Sequence, residues 1–132
     1  MNTVLTIHSL VRWLLIAIAV IALARFLTAW RNKAEFKRLD GVLSSAFSGL
    51  LDAQAVLGLV YLVGDGLSGS GFPLYRFLHM VVMLLAVLVG HLPSRQKEAE
   101  DAARHRGAFL STIGALLFII IGVTLLPGGW YR

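Results

Sequence analysis

Thr6-Ile-His-Ser-Leu-Val-Arg-Trp13, continued from Leu14 to Ala24 without a charge, decides how this chain folds. An apolar run of this length reads as a helix crossing a bilayer. About 20 residues at a rise of ~1.5 Å match the ~30 Å hydrocarbon core. His8 and Arg12 are four residues apart, so they share one helix face. An arginine that far inside a membrane segment is costly and needs a partner. Other spans must therefore place polar groups against this one.

Working outward, the same pattern recurs three more times. We expect spans over residues 4–30, 39–63, 73–91 and 108–126. The chain has 132 residues, enough for one domain, and is 58% hydrophobic but only 14% charged. Soluble domains are less apolar and carry more charge, so this composition belongs in a bilayer. Each run is far longer than a barrel strand, and a helix satisfies its own backbone in lipid. The fold class expected is all-α, a four-transmembrane-helix bundle. Short connections favour up-down-up-down order. No lysine or arginine precedes the first run and no small-x-small site ends it. The N-terminal run is therefore expected to be a retained span, not a cleaved signal peptide.

The connections set the topology. Arg31, Lys33, Lys37 and Arg38 lie in the first, and Arg95, Lys97, Arg104 and Arg106 in or just after the third. These are eight of the twelve basic residues. The second has Asp65 and no basic residue. Basic loops stay inside, so both termini and the second loop should lie outside. The net charge of +5 is a topology signal on this reading, with no nucleic-acid partner implied. The second loop, Gly64 to Phe72, is glycine-rich and reads as a flexible turn. It lacks the lysine and the strand-to-helix setting of a phosphate loop. The third should continue as a helical extension, with Glu100–Arg104 and Lys97–Asp101 as i,i+4 pairs. Trp30, Trp130 and Tyr131 suit interfacial anchoring.

Five polar residues from three spans fall in the outer half: His8, Arg12, Asp52, Gln54 and His79. On span two, Ser45, Ser48 and Asp52 form a polar stripe, and Gly49, Ala53 and Gly58 allow close helix approach. Arg12 and Asp52 are expected to pair across adjacent helices as a register-setting ion pair. His8 and His79 lie at similar depth on spans one and three, which are diagonal in a square bundle. That separation suits a porphyrin held edge-on between two imidazoles, the usual non-covalent ligation of haem b. The chain has no cysteine, so thioether attachment and thiolate metal sites are excluded. Ala86 and Gly90 would leave room, Met80 and Met83 would pack softly, and Arg76 would pair with a propionate. For a single interfacial histidine, snorkelling to the surface is the plainer explanation; the matched pair is what suggests iron. His91 and His105 make a second, inner pair that reads as solvated interfacial residues. Neither pair has the spacing of a zinc site.

His8-Ser-Leu-Val-Arg-Trp13, Leu39-Asp40, Leu51-Asp-Ala-Gln-Ala-Val-Leu-Gly58, His79-Met80 and Asp101-Ala-Ala-Arg-His105 together resemble small bacterial four-span integral membrane proteins labelled cytochrome b-like. The likeness runs in order along most of the chain. Members often carry histidine where this chain has Asp52, and the sequence departs from them there. The resemblance implies b-haem binding and electron transfer in the bacterial inner (cytoplasmic) membrane. We therefore expect a b-type cytochrome-like protein with His8 and His79 as axial ligands of haem iron. Electrons would pass to or from quinone or a redox partner protein, without catalysis at a six-coordinate iron. The alternative is a non-redox accessory subunit, homo- or hetero-oligomeric, packed in a larger complex. A small transporter has less support, since no internal repeat or broken helix is evident.

Overall fold

The computed structural model describes residues 1–131. Four long helices run antiparallel in sequence: α1 Asn2–Arg31, α2 Arg38–Asp65, α3 Leu74–Gly90 and α4 Asp101–Thr124. All four are long and apolar enough to cross a membrane. The expected spans lie where these helices are, with ends displaced by capping chemistry. α2 begins at Arg38 because Lys37 is extended and Asp40 reaches back to accept its backbone N–H, which satisfies a donor the helix cannot. At its far end α2 outlasts the expected boundary by two residues and passes into a wide helical turn, Gly66–Ser70. The expected flexible loop is thus largely helical. Gly69, at φ 113°, ends it in a conformation that glycine adopts without strain.

α3 starts behind Pro73 and stops at Gly90, followed by a 3-10 turn over Leu92–Arg95 that contains Pro93. α4 begins at Asp101, seven residues before the expected span, so part of the third connection is helical as its charge pattern suggested. Arg104 does not close a pair with Glu100; its guanidinium lies 3.8 Å from the centre of the Phe36 ring. After α4, Gly128 and Gly129 take positive φ and fold the chain back. Trp130 thereby returns onto the bundle core, while Tyr131 stays fully exposed.

Each helix packs on two neighbours, in the ring α1–α2–α3–α4, so α1 faces α3 and α2 faces α4 across the diagonals. The main core joins Leu15, Ala19, Phe47, Leu51, Ala86, Ala115, Ile119 and Val123. Four residues sealed in the bundle interior, Ala19, Ala22, Ala86 and Ala115, are alanines. Lipid is as apolar as leucine, so close backbone approach is what favours association here. Gly90 illustrates it: a Cβ there would collide with Leu51 Cδ1. A smaller cluster of Ala22, Phe26 and Ala108, covered by Phe36, Leu43 and Phe109, closes the end near the α1–α2 turn. Outward faces carry leucine, valine and isoleucine in quantity, the surface that hydrocarbon solvates.

Candidate functional site

His79 stands on α3 with its ring against α4. Its Nδ1 lies 2.7 Å from the carbonyl oxygen of Gly122. A carbonyl only accepts, so Nδ1 carries the hydrogen and donates it. In the neutral ring the lone pair is then on Nε2. Glycine keeps the packing close there: a Cβ on Gly122 would collide with the end of the Met83 side chain and come 3.5 Å from His79 Nδ1. Small residues at 122 and 86 let α3 and α4 approach.

His8 sits at the corresponding level of α1. Its ring packs on Gly58 of α2, where a Cβ would lie 3.3 Å from Cε1. It also approaches the backbone of Gln54. Its Nδ1 is buried without a hydrogen-bond partner among the described residues, and so is Oε1 of Gln54. His8, His79 and Arg12 are within electrostatic range of one another. One layer between α1, α2 and α3 therefore gathers two imidazoles, an amide and a guanidinium. Buried polar atoms left unsatisfied are uncommon in folded proteins.

Arg12 is 7% exposed. Its guanidinium stacks on two indoles, 5.4 Å from the centre of Trp13 and 5.5 Å from Trp130. Cation–π contact of this kind is attractive and gains strength away from water. The expected Arg12–Asp52 pair is not the arrangement found: Asp52 Oδ1 lies 2.8 Å from His91 Nε2, at the end of α3. The reason is rotation. Residues 51, 54, 58 and 62 of α2 turn inward, and Leu51 and Leu62 are buried. Asp52, at 100° per residue, is carried round to the outer surface beside α3. The Ser45–Ser48–Asp52 stripe is on that outer side, and Gln54, read as pointing sideways, is the residue that enters the layer.

Arg76, expected to await a propionate, bonds a protein carboxylate. Its Nη2 lies 2.8 Å from Asp65 Oδ2, and its guanidinium lies over Tyr61 at 5.6 Å. This ties the start of α3 to the end of α2. Its Nη1 remains buried without a partner among the described residues.

The opposite end holds a second cluster. Arg25, near the end of α1, reaches towards the α1–α2 connection and gives Asp40 two hydrogen bonds, Nε at 2.6 Å and Nη2 at 3.1 Å. His105, expected to be a solvated interfacial residue, is not one. His105 is wholly buried against Phe26 and Phe36. The signal for Asp40 was available: an acid in the first turn of a helix caps it. His105 carried no such signal, because its cage comes from α1 and the α1–α2 turn.

The donor set suits a porphyrin iron in one respect and leaves another open. Two imidazoles on diagonal helices, one with its tautomer fixed by a carbonyl, are the residues that could hold such an iron. The cation expected for a propionate is already engaged. Among the described residues no cluster of three or more histidine, cysteine or acidic side chains forms a dedicated metal site. Compared with family models, curated proteins and solved structures, the chain matches none.

Proposed function

We propose that this chain is a membrane-embedded b-type cytochrome-like protein that holds haem non-covalently between His8 and His79. The observation that supports the reading is the Nδ1–H donation from His79 to Gly122, which leaves the lone pair of the neutral ring on Nε2, the nitrogen that would bind iron. Haem b, when bound there, supplies a one-electron change at iron. The residues of this chain do the rest. Gly122 orients the His79 ring. Gly58 gives the His8 ring its place on α2. Arg12, buried between Trp13 and Trp130, puts a positive charge beside both imidazoles, and such a charge favours the more negative state of a nearby redox centre.

The partner proposed for electron exchange is a quinone or a redox protein at the outer side. An apolar groove of about 460 Å³, lined by Trp13, Ile16, Leu116, Ile119, Ile120 and Trp130, opens beside Arg12 and suits a membrane-soluble ring. The membrane proposed is the bacterial inner membrane, with both termini outside. Support for this orientation is the basic character of the α1–α2 and α3–α4 connections.

The test is a reduced-minus-oxidised spectrum of protein purified from cells supplied with haem. The expected result is b-type bands that His8→Ala and His79→Ala each remove while helix content is kept. Wild-type protein without such bands overturns the proposal and leaves a non-redox subunit.

A further inference from the structure

Asp52 and His91 form an ion pair or neutral hydrogen-bonded pair on the outside of the bundle. Their side chains are 51% and 42% exposed. Asp52 lies twelve residues from Asp40 and thirteen from Asp65, the two acids whose pairs with Arg25 and Arg76 mark the ends of α2. Helical rise puts it about 18 Å from one and about 20 Å from the other. Asp52 is thus level with the interior of the apolar span, yet it faces outward. Intramembrane ionisable residues almost always face protein or a water-filled cavity, since hydrocarbon offers them no hydrogen bond. The other two helices follow that rule. From Leu10 to Ala24 on α1, and from Leu110 to Ile121 on α4, every exposed residue is apolar.

A second observation lies on the same surface. Ser45, Gly49 and Ala53 are exposed at intervals of four on α2, the small-xxx-small spacing that lets two membrane helices touch backbone to backbone. A Cβ on Gly49 would meet nothing within 4 Å, so this glycine is not required by packing within the bundle. It is spare room on the outside, next to the polar pair.

We propose that the α2–α3 face is the contact between two copies of this chain, related by a twofold axis along the membrane normal. A twofold axis places each patch against itself, and this patch is self-complementary. Within one copy Asp52 uses Oδ1 and His91 uses Nε2. Asp52 Oδ2 and His91 Nδ1 are left for the other copy: the carboxylate oxygen accepts, and Nδ1 donates when the ring is the imidazolium of the ion pair. Parallel α2 helices bring Gly49 against Gly49 and withdraw the polar pairs from lipid. The inference does not depend on haem.

The absence of native cysteine allows a direct test in native membranes. Gly49→Cys is introduced alone, and Val20→Cys on α1 and Leu117→Cys on α4 serve as controls at exposed sites. Under a mild oxidant or a short bismaleimide, Gly49→Cys is expected to form a covalent homodimer and the controls are not. Adding Asp52→Ala to Gly49→Cys is expected to weaken dimerisation about tenfold, with helix content and melting unchanged. Equal cross-linking at all three sites, or none at Gly49→Cys, overturns the proposal. An adduct of Gly49→Cys with a different protein overturns it too and assigns the face to that protein.

Discussion

The two ends of the bundle treat polar groups in opposite ways. At the end with the α1–α2 and α3–α4 connections (the inner end in the proposed orientation) Asp40 accepts two hydrogen bonds from Arg25 and one from the Lys37 backbone, so a charge pair, a helix cap and a turn close on one carboxylate. At the outer end the His8–Gln54–His79 layer keeps a ring nitrogen and an amide oxygen buried without partners. A satisfied network of this kind holds helices in register. His105 is the exception at the inner end. Both its nitrogens are buried without partners among the described residues, yet two aromatic rings fill the space around it.

The contrast is broken most severely by Asp40→Ala. The substitution strands Arg25, uncaps α2 and frees the α1–α2 turn. A loss of about 2–3 kcal/mol is expected, below that of a wholly buried pair because Arg25 keeps a third of its side chain exposed. Reversible unfolding by SDS titration measures it. A loss no larger than the ~0–1 kcal/mol of a surface pair would remove the inner end as the anchor of the fold.

Gly122→Ala tests the outer end. The new methyl meets Met83, a flexible side chain, and lies 3.5 Å from the His79 Nδ1 that donates to the Gly122 carbonyl. Overpacking of this size costs about 1–2 kcal/mol. The informative readout is the ¹⁵N spectrum of the imidazoles: the Nδ1–H form of His79 should lose its dominance. An unchanged tautomer would show that Gly122 does not set the protonated nitrogen of His79.

His105→Leu carries the smallest effect, and its sign is opposite. An imidazole buried without hydrogen bonds is destabilising, so an apolar residue of similar size in the Phe26–Phe36 cage should raise stability by about 1 kcal/mol. A fall in stability of the same size would reveal a polar role for His105 and make the two ends alike.

Much of the architecture was legible in the sequence. Four apolar runs separated by turn residues leave little choice but four helices, and short connections make neighbours antiparallel. His8 and His79 could be set at one level by counting residues, because helical rise is nearly constant. Pairings were not legible in the same way. Arg12–Asp52 was expected from depth alone. Depth was adequate, but Asp52 faces α3, and one residue of rotation separates an inward side chain from an outward one. In a soluble helix the polar face shows which way is out. In these helices nearly every face is apolar, so the pattern carries little facing information.

The sequence by itself therefore determined the class, the number of helices and their order. Those follow from hydrogen bonding in lipid and from helical geometry, which are local. Only the tertiary structure decided which polar groups meet: Arg25 with Asp40, Arg76 with Asp65, Asp52 with His91, and Arg12 with two indoles. Those depend on how each helix is rotated about its axis. Rotation is set by close packing at a few small residues, Ala19, Ala86, Gly90 and Gly122 among them, and by a C-terminal turn that brings Trp130 back over the stretch where the chain began.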